Sequence, residues 1–563
     1  MGWRRTTMRF ISTSIFVLFM AVNCHAGLIQ AQARPPDRPR VVITADPELD
    51  DKNTLIRAVL YSTDFDVEGL VYASSGVHWR GDGKGSTQYW PGSEYSRLGM
   101  CLAGCTSWRW PAANKEKFID QIVEAYANVY SNLKVHNSAY PDPTILRSKI
   151  KWGNVDFEGD YSKDTDGSNL IKDLLLDDDP RPLYVTAQAG QSTIARALKS
   201  IYDQHHTSPH WIDIKNKVSH RLIIIPWGDQ DGTYAKYIKP NWPTVSNWQL
   251  AMIEYGYFIR NDLAAVDQVY ISGAWTRQNI LNAGPLGALY RVWGDGKRMV
   301  EGDPTDYFGL TGYSVDQLRE MGYAPFTPPQ EKDSFISEGD TPTFLNLLNN
   351  GLRASTDGHW GGWGGIQREN AQAIAWGDTQ PVGPDAPGVA PGIAPAGVKN
   401  PSAPGSSAGG QKKPAASTSG FSFHRNIPPR TAMVNARFFA AAQNDFAARL
   451  RWSVTPKYEG ANHEPKVSIA GPMELSAKAG SSVRLQAQVS DPDRNSVRVT
   501  WWQYNDASTY PGDIRLSDPS SLATTFQVPP DAKPGETIHI ILEATDDGEP
   551  PLTRYKRVVV TVR

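Results

Sequence analysis

The stretch Val41–Val42–Ile43–Thr44–Ala45–Asp46–Pro47–Glu48–Leu49–Asp50–Asp51 decides how this chain reads. A β-branched run that is apolar on both faces breaks at Asp46–Pro47, and Leu55, Ile56, Val59 and Leu60 then recur at helical spacing. The pattern is strand, turn, helix. Asp46, Glu48, Asp50 and Asp51 crowd the carboxyl end of that strand, where open α/β sheets bind their ligands. Carboxylates packed this closely repel one another unless a hard cation such as Ca2+ gathers their oxygens. A structural reading accounts for the same residues: Asp46–Pro47 makes a turn, Asp50 caps the helix and Asp51 complements its dipole.

Further along, Val67–Tyr72, Leu183–Thr186, Leu222–Ile225 and Val269–Ile271 read as further buried strands. Between them Phe118, Ile122, Tyr126, Val129 and Leu133 mark an amphipathic helix. Strand and helix in alternation imply an α/β fold with an open, mostly parallel sheet and flanking helices, expected over residues 38–457. Residues 379–420 are rich in Pro, Gly, Ala and Ser, hold no aromatic residue and only four charges, and read as a flexible insertion. The apolar stripe of Phe438, Phe439, Phe446 and Leu450 then returns to the α/β unit. Past a boundary near Tyr458–Pro465, short strands at 467–469, 483–489, 497–502, 524–528, 538–544 and 556–562 alternate with Asp- and Gly-containing turns. Residues 465–563 are expected to form an all-β immunoglobulin-like sandwich.

At 563 residues the chain has room for about three folding units. A net charge of −2 argues against a nucleic-acid polymer as partner, whereas 18 Trp and 23 Tyr supply rings that stack on sugars. Arg4, Arg5 and Arg9 precede an apolar run at 10–22 and small residues at Ala26 or Ala33, which is signal-peptide grammar. That run is too short to span a bilayer, so a secreted or periplasmic protein without a membrane span is expected, residues 1–26 being removed. In such a compartment Cys101 and Cys105 either pair or remain as two free thiols of one loop.

The segment from Thr44 to Asp51 resembles the Asp-x-Asp-x-x-x-Asp-Asp signature of nucleoside hydrolases, with Asp46, Asp50 and Asp51 matching and Thr44 in place of the first Asp. The likeness continues at Gly69–Ala73, at Ala189–Ala195 and at Glu338–Pro342. A closer likeness covers nearly the whole mature chain. It is to secreted bacterial proteins described as cellulose-binding, in which a nucleoside-hydrolase-like domain precedes an immunoglobulin-like one. Glu338–Leu345, Trp360–Gly365, Asn444–Arg449, Ala461–His463, Asp546–Gly548 and Pro550–Leu552 carry it.

The resemblance implies Ca2+ held by Asp46, Asp51, Asp340 and a carbonyl near Ser192, with Asp46 as the base and Asp50 orienting a sugar hydroxyl. Where nucleoside hydrolases commonly place a His before the late Asp, this chain has Gly339, so the leaving-group acid is missing. Glu338, His78 and Asp231 are the substitutes to consider, and Glu338 is expected, with Asp50, to bind the substrate. Trp360 and Trp363, in a Gly-rich loop without the Lys and Ser/Thr of a P-loop, are expected to contact sugar, or else to pack as buried rings. Trp502 and Tyr504, on one face of a sandwich strand, form a second possible carbohydrate platform. Two functions follow. One is Ca2+-dependent hydrolysis of an N-glycosyl or related glycosidic bond in a small molecule or polysaccharide. The other is non-catalytic binding of cellulose or another carbohydrate on the same scaffold. A purely structural surface protein fits least, because nothing in it calls for the acids.

Overall fold

The structure is a computed structural model, and it describes residues 1–2, 38–76, 78–81, 110–111, 115–250, 255–257, 259–300, 305–323, 325, 327–369 and 429–563. Residues 3–26 of the expected signal segment, Cys101 and Cys105, and the 379–420 insertion lie outside the described residues.

Strand β1 (Arg40–Ala45) is buried along its whole length because it feeds two cores. Val41, Ile43 and Ala45 pack on one side of the sheet, and Val42 packs on the other with Val71, Val185 and Ile224. Complete burial on both faces is why the run lacks polar alternation. It continues through β2 (Asp66–Tyr72), β3 (Ile150–Trp152), β4 (Leu183–Ala187), β5 (Leu222–Pro226), β6 (Ser246–Leu250) and β7 (Gln367–Glu369). These seven form one sheet in the order β3-β2-β1-β4-β5-β6-β7, parallel except for the antiparallel edge strand β7. The chain runs outward from β1 to β3, then restarts at β4 on the other side of β1. The crevice between the carboxyl ends of β1 and β4 is therefore the topological switch point.

Helices α1 (Leu49–Leu60), α2 (Phe118–His136), α3 (Asp166–Leu176), α4 (Ser192–His205) and α5 (Trp211–Arg221) cover the sheet. The strand expected at Val269–Ile271 is instead the end of a 3-10 segment, Ala265–Ile271, with Val266 and Val269 exposed. Its β-branched run never pairs. The sheet takes β6, Ser-Asn-Trp-Gln-Leu, whose polar residues conceal a strand buried by its neighbours.

The final helix, α6 (Pro429–Val454), buries Phe438, Phe439, Phe446 and Leu450 in the larger core and packs on α1 and α2. The sandwich follows as β8 (Lys466–Ile469), β9 (Glu474–Ala477), β10 (Ser482–Ser490), β11 (Val497–Gln503), β12 (Ala523–Gln527), β13 (Thr537–Asp546) and β14 (Thr553–Val562). They form sheets of order β12-β10-β8 and β11-β13-β14-β9 around Leu485, Trp501, Phe526 and Ile540. The outer face of the four-stranded sheet is not solvent: Tyr504, Ile541 and Tyr555 join the larger core with Phe438, Phe344 and Trp363. A buried ion pair crosses the same seam, Arg554 of the sandwich on Asp445 of α6 at 2.6 Å, and Arg449, also on α6, braces it by reaching Asp445 and Asp64 at 3.0 Å each.

Candidate metal and sugar site

A polar stripe on α1 builds the site. Asp50, Asn53, Thr54 and Arg57 recur at i, i+3, i+4 and i+7 and so share one helix face, and each grips the segment 337–341. The Ser337 hydroxyl donates to Asp50 at 3.2 Å, the Asn53 amide donates to the Ser337 carbonyl at 3.0 Å, and Thr54 meets Thr341 at 2.9 Å. Arg57 forms a two-pronged ion pair with Glu338. This zipper delivers Asp340, some 290 residues downstream in sequence, to the amino end of α1, beside Asp51.

Upstream, the turn after β1 is set by its own acids. The Asp46 amide donates to Asp51 at 3.0 Å, and the Glu48 amide donates to Asp46 at 2.9 Å. His78, buried after β2, turns Nδ1 toward Asp46 at 3.8 Å and Glu48 at 3.6 Å. Asp46, Glu48 and His78 each bring a ligand atom within 4.8 Å of the others, and so do Glu48, Asp50 and Asp51. Glu48 therefore joins two groups. Asp340 belongs to neither and meets the cluster through Asp51.

The electrostatics match this crowding. Burial first, then Asp340, Asp46, Asp50 and Glu48, push the Asp51 carboxyl well above its ordinary value. Burial, then Glu48, do the same to Asp46 against the pull of a Ser75 hydroxyl. Asp340 is raised by burial, Asp50, Glu48 and Asp46, and a hydrogen bond with Asp51 opposes the rise. Asp50 is raised to about 7, by burial and then by Glu48. No Lys or Arg figures among these causes. Asp50 Oδ1 is buried and makes no hydrogen bond among the described residues. A set of hard oxygen donors that raise one another, with an unsatisfied acceptor among them, suits a divalent cation.

The structure gives other candidate residues different tasks. Glu338 is fully buried and its oxygens are spent: Oε1 accepts from Arg57 at 2.9 Å and Tyr290 at 2.6 Å, and Oε2 from Arg57 at 2.5 Å and Thr341 at 2.8 Å. It has no lone pair left for a substrate. The expectation that it binds sugar or replaces the missing acid is corrected on that ground. Asp231 carries the amides of Ser192 and Thr233 at 3.0 Å each, and Asp229 those of Tyr234 and Ala235, so both shape turns. Ser192 is held through that amide and through the Asn154 amide, which donates to its hydroxyl at 2.8 Å.

Trp363 is 1% exposed and meets Tyr555 edge-on across the seam, which removes it from reach of a sugar and corrects its expected role. Trp360 is half-buried on the same seam, edge-on to His539 and flanked by the Arg353 and Arg557 guanidiniums. The glycines around them serve close packing: a Cβ on Gly364 would stand 2.5 Å from the Pro342 carbonyl, and one on Gly362 2.9 Å from Asn346. Tyr504 is buried at the seam and Trp502 partly so beneath Arg437, so the second platform is corrected as well.

Sequence reasoning missed Gln188. Its amide follows β4 across the crevice from Asp46, is 1% exposed, and uses neither its oxygen nor its nitrogen among the described residues. Nothing in Thr-Ala-Gln-Ala-Gly marks it; only the strand order does.

Fold and site together define a class: an open α/β scaffold with buried carboxylates at its switch point, fused to a β-sandwich. Residues 40–366 match the family model described as "Cellulose-binding Sde182, nucleoside hydrolase-like domain", and residues 482–562 match "Cellulose-binding protein Sde0182, C-terminal domain". The chain belongs to that family. A solved structure, a nucleoside hydrolase-related hypothetical protein from Saccharophagus degradans described as associated with carbohydrate metabolism, shares the fold at TM-score 0.63 and 24% identity. The match covers 93% of this chain and 100% of that one. Two further matches, the N-terminal domains of the bacteriophage RB49 Hoc capsid protein and murine CRIg, each cover 18% of this chain at TM-score 0.13. Their identities are 13% and 14%, and they span 30% and 99% of their own chains. A search of curated protein sequences returns no match. Among the described residues no helix is long and apolar enough to cross a membrane.

Proposed function

We propose that this protein is exported, binds a sugar through a divalent cation, Ca2+ by the hardness of its donors, and hydrolyses an N-glycosyl or related glycosidic bond. The observation that carries the reading is the cluster of carboxylates that raise one another, with its Asp50 oxygen unsatisfied among the described residues. Asp46, Asp51 and Asp340 would hold the ion, with Glu48 alongside and a carbonyl near Ser192 completing the protein's share. A bound divalent cation supplies a more acidic water and an anchor for sugar hydroxyls. Asp46, ionised beside the cation, would take the water's proton. Asp50 as acceptor and Gln188 as amide, both with side-chain atoms unsatisfied among the described residues, would orient sugar hydroxyls at the switch point. The surrounding carboxylates stabilise positive charge developing at the anomeric carbon.

The second reading, non-catalytic binding of cellulose or a related polysaccharide, is favoured by Gly339. A Cβ there would lie 2.6 Å from Asp50 Oδ2, so any side chain at that position, a leaving-group acid included, would have to displace the Asp50 carboxylate. His78 does not stand in for one. At 3.8 Å from Asp46 it is too close to act from the opposite face of a sugar ring, a job that separates the two groups by at least about 5 Å. Hydrolysis on this site accordingly suits leaving groups that depart without strong protonation.

The test is release of reducing sugar from a panel of nucleosides, activated aryl glycosides and β-glucans, with and without chelator, by the wild type and Asp46→Ala. Turnover on activated substrates, lost with chelator and in the variant, supports hydrolysis. Glucan binding with no turnover on any substrate replaces it with the second reading.

A further inference from the structure

Beside α1, where Lys52 and Ile56 line its wall, lies a cavity of about 680 Å³, the size of a small-molecule site. Its walls carry five cationic side chains, Lys52, Lys115, Arg291, Lys297 and Arg298, and no acidic one among the described residues. The cations are not equivalent. Arg291 is held by Asp295, whose carboxylate accepts from Nε at 2.5 Å, and by the Lys297 carbonyl at 2.8 Å. Arg298 leans on the Tyr323 ring and hydroxyl, and Lys297 reaches the Ala288 carbonyl at 3.2 Å. Lys52 is different: half-buried, it hangs its ammonium 5.7 Å from the Phe118 ring centre, with no hydrogen bond or ion pair among the described residues. Asp306 and Asp51 attract it without pairing.

The floor is apolar, formed by Phe118, Ile122 and Met299. A partly desolvated ammonium over an apolar floor, ringed by further cations, is an unfavourable arrangement for the protein alone and a good one for a ligand that brings negative charge. A neutral sugar gains nothing from five cations, and a bare inorganic ion leaves the floor wet.

We propose that this cavity binds a small organic anion whose oxyanion head, a carboxylate or a phosphate ester, sits against Lys52 while its apolar body lies on Phe118, Ile122 and Met299. The site is separate from the carboxylate cluster and does not depend on the function proposed there. The rim cations Lys115, Lys297 and Arg298, all exposed, draw the anion in, so affinity falls with added salt.

The test is calorimetric titration of the full chain with benzoate, phenyl phosphate, inorganic phosphate and benzyl alcohol at low and high salt. The expected result is saturable binding of benzoate or phenyl phosphate, the tighter of the two identifying the head group. Inorganic phosphate should bind at least tenfold more weakly and benzyl alcohol not at all. Lys52→Met should weaken the anion at least tenfold and Lys52→Arg should keep it. Because Lys52 neighbours Asp51, the exposed pair Lys297→Gln and Arg298→Gln carries the same test should Lys52→Met fail to fold, with a smaller loss and a shallower salt dependence. No binding by either organic anion, or equal binding of benzyl alcohol, overturns the proposal, as does unchanged affinity in both sets of variants.

Discussion

Two groups of buried acids in this molecule, equally removed from water, titrate in opposite directions. At the domain seam, burial alone would raise Asp445, but Arg554 and Arg449 outweigh it and hold the carboxyl down at about 2. At the switch point Asp46, Asp51 and Asp340 rise, because burial is reinforced there by neighbours that are further carboxylates. Burial is common to both places; the partners decide the sign. The seam is a finished structural joint. The cluster is an incomplete one, and what completes it is either protons or a cation from outside the chain.

The comparison breaks most visibly at the seam. Asp445→Ala leaves Arg449 and Arg554 buried without their shared partner, and chemical denaturation should show a loss of about 3–5 kcal/mol. Asp46→Asn in metal-free protein should cost far less or stabilise, since it removes repulsion; equal losses in the two variants would erase the distinction. Next comes Glu338→Gln, which takes the charge out of the Arg57 pair and should cost about 2–3 kcal/mol. Its loss should persist at saturating Ca2+, because Glu338 holds the zipper and not the ion.

A pH experiment sharpens the contrast. A carboxyl whose folded value is raised stays protonated in the folded protein while the unfolded chain ionises, so the folded state binds more protons and stability falls as pH rises. For Asp50, moved from 3.8 to about 7, the window runs from about pH 4 to pH 7. Metal-free wild type should lose stability across that window more steeply than Asp50→Asn, by at most about 1.4 kcal/mol per pH unit. Saturating Ca2+, which prefers the ionised form, should remove the difference. Asp445, whose folded value is depressed, works the other way, its contribution being lost only as pH falls toward 2. The smallest effect belongs to Gly339→Ala. Its methyl crowds Asp50 and should cost about 1 kcal/mol in melting experiments while weakening Ca2+ binding several-fold.

The sheet was legible wherever strands are buried on both faces, because Val41–Ile43 and Leu222–Ile225 have no other stable place to go. β6 and the strand expected at Val269–Ile271 exchanged roles for a reason outside their own composition: pairing with β5 and β7 is non-local, and no property of Ser-Asn-Trp-Gln-Leu encodes it. The cluster after β1 was legible because it is local. Glu338 was misread since its neighbour Asp340 does join the cluster, and only the Arg57 fork, from the last turn of α1, separates two acids two residues apart. Gln188 and the seam positions of Trp363 and Tyr504 depend on which faces meet, which a one-dimensional pattern does not carry.

The central claim is that acids distant in sequence share one divalent ion at the switch point. Calorimetric titration of chelator-treated protein with Ca2+ tests it directly. The account predicts one ion per chain, with affinity reduced at least tenfold in each of Asp46→Asn, Asp51→Asn and Asp340→Asn and unchanged in Trp360→Ala. Absence of binding, or binding indifferent to all three aspartates, would contradict it.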